Sequence, residues 1–251
     1  METQGILYIA AGEKYIRAAT HSAESVLRHC PGLPTHLFAD WQNYDCFRFD
    51  QTPYPFTSVD KIIHPHHRSK VDFLPRTPFD RTLYLDTDTL LRADIRGVFK
   101  ILDRFDIALT QAHRRNDPHR LNTWRIDLPQ AFPQYNGGVI LYRKTPKVIQ
   151  FLEDWRDYFK EAGFQQDQIT LRELLWLSDL RMATLPPEYN IRYIKYKYLW
   201  SKAEARAKVL HLRKYHDGQF WFIKKWFKHL GRAILLRLGI NPGELKKRIL
   251  K

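Results

Sequence analysis

The chain is poor in cysteine, methionine and acid: two cysteines, two methionines, and 27 aspartates and glutamates against 41 lysines and arginines in 251 residues. Cys30 and Cys46 cannot build a disulfide framework, and neither stands in a CxxC or Cys/His pattern of zinc spacing, so a reducing cytoplasm is the expected compartment. No apolar run is long enough to span a bilayer. Gly5 to Ala11 is short, follows Glu2 instead of a cationic stretch, and reads as a first β-strand, not a signal peptide. Internal repeats and low-complexity segments are also missing.

With 44% hydrophobic residues, the chain can bury one full α/β domain and carry a short appendage. The shortage of acids leaves a formal net charge of +14, so any partner or surface must tolerate strong positive charge. Much of that charge is terminal. From Gln219 onward Lys224, Lys225, Lys228, Arg232, Arg237, Lys246, Lys247, Arg248 and Lys251 face the single acid Glu244. Bases gathered in one terminal segment suggest an attachment device more than a nucleic-acid groove.

Gly5 to Ala11 is a buried-strand run. Ile16, Ala19, Ala23, Val26 and Leu27 then share one face of a helix ending before Pro31-Gly32, and Thr35 to Ala39 follows as a second strand. This βαβ opening favours a parallel sheet with a ligand crevice at the carboxyl ends of its strands. Residues 41 to 58 are aromatic and aperiodic and read as a loop. Short strands are expected at Val59 to Ile63, Thr82 to Leu85, Asp106 to Thr110, Gly137 to Tyr142, Arg181 to Leu185 and Lys208 to Leu212. Helices are expected at Arg68 to Leu74, at Asp94 to Phe105 with a cap, at Pro146 to about Lys160, and from near Gln166. The polar stretch His113 to Leu128 reads as a mobile loop over the site, with a simple solvated surface as the alternative. His64-Pro65-His66-His67 invites a metal reading, but Pro65 spoils the helical spacing and nothing nearby completes a ligand set.

Chemistry concentrates at Asp86-Thr87-Asp88, two carboxylates one residue apart after the apolar run Leu83-Tyr84-Leu85. At the end of a buried strand such a pair can hold one hard divalent cation with positions left for water or phosphate oxygens. A solvated turn is the structural alternative. Asn136-Gly137-Gly138 stands at a strand mouth, where an amide can reach a sugar hydroxyl and glycine permits close approach. Asp167-Gln168 opens a helix, whose positive end favours an anion. His211 ends an apolar strand and can complete a metal shell. Taken singly, each is as readily structural: a helix cap, a turn, a satisfied histidine.

In this order along residues 5 to 215, the set resembles the glycogenin-like retaining glycosyltransferases, family eight, which have the GT-A fold. The resemblance is carried by Tyr8-Ile9-Ala10-Ala11-Gly12-Glu13-Lys14-Tyr15, Lys70, Tyr84 to Asp88, Asn136-Gly137-Gly138-Val139, Asp167-Gln168, Leu185 to Asn190 and His211. It implies a Rossmann-like α/β domain over residues 1-215, with a mostly parallel central sheet flanked by helices; residues 216-251 read, from their own pattern, as a basic amphipathic helical tail. By the same resemblance, Ala10, Ala11 and Gly12 would line a uridine site with backbone groups and Tyr15 would stack near the base. Lys70 would touch the diphosphate or donor sugar. Asp86, Asp88 and His211 would ligate Mn²⁺ or Mg²⁺, and Thr87 would lie within the nucleotide-sugar site. Asn136, Asp167, Gln168 and Asn190 would contact the transferred sugar, with Asp167 stabilising positive charge at the anomeric carbon. The implied reaction moves a hexose, glucose or galactose first, from a UDP-sugar to a glycan, glycolipid or protein acceptor, with retention.

The chain departs from the family pattern twice. Lys214 and Asp217 stand where relatives place a Gly and a Lys after the metal-binding His, so Arg213, Lys214 or His216 would grip the diphosphate. Phe164 stands where an acidic residue often precedes the catalytic Asp.

Two other readings start from the same residues. A haloacid-dehalogenase-like phosphatase would use Asp86 as nucleophile and Asp88 as acid/base, but no Gly-Asp-x-x-x-Asp follows, and its motif normally ends the first strand. A non-enzymatic nucleic-acid-binding protein would use Arg114, Arg115, Arg120 and the run Arg192 to Tyr198 for phosphate contacts and stacking. In the tail, Phe220 to Leu238 reads as an amphipathic helix, with Trp221, Phe222 and Trp226 suited to a bilayer interface and cations suited to anionic head groups. Peripheral attachment to the cytoplasmic membrane face would fit a lipid-linked acceptor; docking of the tail on its own domain is the alternative.

Overall fold

A computed structural model of the protein describes residues 2–45, 54–66, 68–114, 122–201, 203–216, 234, 237 and 238, with Lys214 described by its backbone alone. The helix expected over Phe220 to Leu238 falls almost wholly outside the described residues, as do His67, Cys46 and part of the loop expected over His113 to Leu128.

Strand β1 (Gln4–Ala10) is buried along nearly its whole length, so both of its faces need cover. Its pleat sends Ile6, Tyr8 and Ala10 to one layer and Leu7 and Ile9 to the other. The first layer is closed by α1 (Glu13–His29) through Ile16, Ala19, Ala23 and Val26, the apolar face read from the sequence. The second is closed by α4 (Pro146–Ala162), whose Val148, Phe151, Leu152, Trp155 and Phe159 are all buried, together with Leu171 and Leu175 of α5 (Gln168–Leu177). Local chemistry delimits α4. The Thr145 side chain accepts from Val148 N, Pro146 occupies the first turn, and Gly163 stops the helix in the left-handed region at φ 65°.

Among the described residues the main sheet has seven strands in the order β3-β2-β1-β4-β7-β6-β8. They are β2 (Thr35–Asp40), β3 (Ser58–Ile62), β4 (Arg81–Leu85), β6 (Ile107–Gln111), β7 (Tyr135–Arg143) and β8 (Met182–Thr184) beside β1. All neighbours are parallel except β7, which runs antiparallel to both β4 and β6. The sheet is therefore mostly parallel, as expected, with one reversed strand. That reversal brings the beginning of β7 to the edge where β1, β2 and β4 end, since Asp86 N donates to Gly138 O just past the Leu85–Val139 pair. A separate antiparallel pair, β5 (Thr89–Leu91) with β9 (Val209–His211), sets Thr89 opposite His211.

Several boundaries differ from the sequence reading. Among its described residues the region 41 to 58 holds a helical turn, α2 (Trp41–Tyr44), and β3 starts within it at Ser58. The helix expected at Asp94 to Phe105 is a 3-10 helix over Arg96–Asp103 without a side-chain cap bond; the Asp94 carboxylate instead accepts from the Arg96 backbone and guanidinium. The helix expected at Arg68 to Leu74 is α3 (Lys70–Phe73) continued by a 3-10 turn, Leu74–Arg76. Strand β7 begins at Tyr135, two residues before its glycines, and α5 begins at Gln168. His66 bonds Asp72, whose other oxygen is 2.6 Å from Lys160 Nζ, so the Asp72–Lys160 pair joins α3 to α4 and this histidine holds its carboxylate.

Candidate active site at the sheet edge

The site starts where β4 stops. Asp86 and Asp88 lie in the turn between β4 and β5, and the β5–β9 ladder sets His211 beside them. His211 Nε2 is 2.9 Å from Asp88 Oδ1 and 3.4 Å from Asp86 Oδ2. The three prospective ligand atoms lie within 4.8 Å of one another, and this is the one such group among the described residues. Two carboxylate oxygens and an imidazole nitrogen so arranged fit a divalent cation. Close packing of the group depends on Gly138, because a Cβ there would stand 2.2 Å from His211 Cε1 and 2.5 Å from Asp86 Oδ2.

Hydrogen bonding settles which His211 nitrogen faces the carboxylates. Gly138 N donates to Asn136 Oδ1, which fixes the Asn136 amide. Asn190 Nδ2 donates to that oxygen and to Thr110 Oγ1, leaving Asn190 Oδ1 to accept from His211 Nδ1 at 2.8 Å. Nε2 is thereby left to the carboxylates, an orientation that second partners commonly impose on a ligating histidine. Asn190, expected to contact the transferred sugar, is fully buried, and its amide is used on Thr110, Asn136 and His211.

A second charged group abuts the first. Lys70, the first residue of α3, is buried; its Nζ is 2.6 Å from Asp167 Oδ2 and 3.7 Å from Asp86 Oδ1, and it donates to Gly137 O at 2.9 Å. Asp167 stands at the N-terminus of α5, with its carbonyl accepting from Trp155 Nε1 at 3.1 Å. Burial alone would lower the Lys70 ammonium pKa, but Asp167 and Asp86 outweigh it and raise it above the ordinary value. Burial would raise the carboxyl of Asp86, yet Lys70, His211 and the Tyr84 hydroxyl at 2.8 Å hold it far below the usual range. Asp88 is lowered in the same way, against burial, chiefly by His211. His211 is raised: burial opposes its charge, and Asp88 and Asp86 overcome that opposition.

The remaining expected residues line the same edge. Ala10 ends β1, Ala11 and Gly12 form the turn into α1, and Gly12 has φ 100°, a conformation that favours glycine. Tyr15, in the first turn of α1, packs edge-on against His216 with ring centroids 4.8 Å apart, and His216 Nε2 is 2.9 Å from Thr87 Oγ1. Burial lowers the His216 imidazole despite Asp88 and Asp86. Gln168, half-buried, follows Asp167 as the first residue of α5. Lys214 lies in the 3-10 turn Arg213–His216. The sequence reading gave no site role to Tyr84, Thr110, Trp155 or Asp40, the last of which accepts from Gly12 N at 2.9 Å. Only Tyr84, two residues before Asp86 on the same strand face, offered a positional signal.

A mostly parallel α/β sheet with an acidic turn at its carboxyl edge that could hold a metal ion defines a GT-A type of domain. The nucleotide-diphospho-sugar transferase family model matches residues 81–219, more than half of the chain, and the chain belongs to that family. Among solved structures it is similar to the glycosyltransferase GlyE of Streptococcus pneumoniae TIGR4, with TM-score 0.58 and 18% identity over 90% of this chain and 60% of GlyE. It is also similar to the galactosyltransferase LgtC in complex with donor and acceptor sugar analogues, with TM-score 0.58 and 14% identity over 90% of this chain and 95% of LgtC. An active-site mutant of LgtC gives TM-score 0.60 with the same identity and coverage. The chain thus spans about three fifths of GlyE and nearly the whole of LgtC. No curated protein matches the sequence. These findings lend no support to the phosphatase or nucleic-acid alternatives.

Proposed function

We propose that the protein transfers a hexosyl group, glucose or galactose, from a UDP-sugar to a hydroxyl of a glycan, glycolipid or protein acceptor, with retention. Family membership supports a nucleotide-sugar donor. The observation that carries the reading is the placement of the Asp86-Asp88-His211 group directly beside the Lys70–Asp167 pair.

Asp86, Asp88 and His211 are the residues that would hold Mn²⁺ or Mg²⁺, and such a cation supplies positive charge opposite a departing diphosphate. Asn190 keeps the His211 imidazole aimed, and Gly138 leaves room for it. Lys70 stands between the two acidic groups; its ammonium fixes the Asp167 carboxylate and offers charge to the donor. Asp167 stabilises the positive charge that develops at the anomeric carbon. Asn136, with its oxygen already engaged, offers its NH₂ to a sugar oxygen, and Gln168 stands next to Asp167 for the same purpose. Ala10, Ala11, Gly12 and Tyr15 form the uridine end, while Thr87, Gly137, Lys214 and His216 flank the diphosphate. Residues 1–215 form the catalytic domain, and the basic segment 216–251 holds it at the cytoplasmic membrane face.

Asp88→Asn tests the core of this reading. It removes one anionic ligand while keeping size, so Mn²⁺-dependent hydrolysis of UDP-glucose or UDP-galactose should fall by at least about a hundredfold, with the melting temperature retained. Undiminished turnover in the purified variant would overturn it.

A further inference from the structure

The run Arg192 to Trp200 contains four aromatic rings, three bases and no acid. It comprises the turn after Asn190 and the helix α6 (Ile194–Leu199), and all its side chains are half-buried. Tyr196 and Trp200 stack with centroids 5.8 Å apart and planes 22° from parallel, and both rest on a small core of Ile191, Leu210 and Leu212. Tyr193 meets Tyr196 edge-on at 6.2 Å, and its hydroxyl accepts from Arg114 Nε at 2.9 Å. Lys195 Nζ lies over the rings of Tyr193 and Tyr196, and Lys197 Nζ over Tyr198. Among the described residues neither ammonium is paired with a carboxylate.

This ledge is joined to the metal-binding group. Ile191 N donates to Val209 O and His211 N to Ile191 O, so the chain entering the ledge is laced to β9. Asn190 holds His211 on one side of that lacing, and Arg192 Nη1 is 3.8 Å from Asp88 Oδ2 on the other. A molecule seated on the rings would therefore border the place where the donor reacts.

Resting on the transferase reading above, we propose that the Arg192–Trp200 ledge is the acceptor subsite, and that the acceptor is a saccharide carrying a phosphate or carboxylate. Half-buried rings offer flat apolar faces to the C–H face of a pyranose. The ammonium groups lying over the rings, unpaired with a carboxylate among the described residues, are donors only, so they match an anionic substituent. A segment that reads neutral hydroxyl patterns would be expected to include carboxylates, and this one has none.

The test is tryptophan-fluorescence titration of the full chain with lactose, with 3′-sialyllactose as the carboxylate form, and with lactose 1-phosphate. Inorganic phosphate and a single-stranded oligonucleotide serve as competing probes. Wild type is expected to bind the acidic saccharides about fivefold or more tightly than lactose, and Lys195→Gln/Lys197→Gln to erase that preference. Where the double variant fails to fold, salt provides the second measurement: raising ionic strength should weaken wild-type binding of the acidic forms and leave lactose unchanged. Equal affinity for neutral and acidic forms would overturn the proposal. So would a preference that survives both the double variant and salt, or tighter binding of oligonucleotide or phosphate than of the acidic saccharide. UDP binding by the wild-type protein separates the two readings. UDP bound without saccharide selectivity removes the acceptor inference alone, whereas no binding of UDP removes the transferase reading and the ledge's role as acceptor subsite with it.

Discussion

Gly138 contributes through the side chain it does not have. With His211 Cε1 and Asp86 Oδ2 both closer than 3 Å to where a Cβ would stand, Gly138→Ala must displace an imidazole or a carboxylate, and neither can move freely. Lys70 and Tyr84 hold Asp86, and Asn190 holds His211. The expected result is a stability loss of about 1–3 kcal/mol from overpacking, with Mn²⁺ affinity falling by about tenfold or more. Mn²⁺ titration by electron paramagnetic resonance beside a urea melt separates the two effects; wild-type affinity in the variant would show that the three ligands do not share one ion. The same crowding explains what could be read at this scale from sequence. Asp86, Asp88 and His211 announced themselves by type and position at strand ends. Thr110, Trp155 and the imidazole-holding use of Asn190 did not, because their partners lie far away along the chain and no local pattern encodes such a pairing.

Helix α5 organises more than the residue at its tip. Glu173, fully buried, accepts from the backbone N–H groups of Trp124 and Arg125 and from the Tyr158 hydroxyl, and the neighbouring Arg172 donates to the carbonyls of Pro129 and Phe132. One turn of helix thus grips the segment that leads into Asn136, while its first turn carries Asp167. Glu173→Ala would orphan those donors. It should cost about 1–3 kcal/mol and speed limited proteolysis within residues 122–134, and an unchanged cleavage rate would show the segment is held by other means. Elements with strong periodicity or flanking signals were legible: α1 from its apolar face, α4 from Pro146 and its aromatic stripe, and β1, β4 and β9 from apolar runs. Elements without such signals were not. Trp41–Tyr44 is one turn, too short for a helical period, and Arg96–Asp103 winds as a 3-10 helix although its apolar spacing matches an α-helix. The direction of β7 is set by its neighbours and leaves no mark in its own residues.

Charge is distributed unevenly over the whole molecule. Nine bases and one acid follow Gln219, whereas the described domain places Asp86, Asp88 and Asp167 against Lys70, His211 and Arg192. No described helix is long and apolar enough to cross a membrane, so membrane attachment, as proposed, rests on the tail's cations and aromatics. The full chain should co-sediment with phosphatidylglycerol vesicles and lose most of that binding in high salt. Deletion of residues 219–251 should abolish it, and equal sedimentation of the truncated chain would remove the tail from that role. The reversed strand bears on the molecule's history as well as its shape. Residues 135–143 must insert between β4 and β6 before Gly138 and Asn136 can take their places, and Asn190 and His211 come from still later in the chain. Cation binding is therefore expected to arise late on the folding path, when distant segments have met. A Mn²⁺-sensitive signal followed during refolding would mark the completed domain and remain silent in a half-formed sheet.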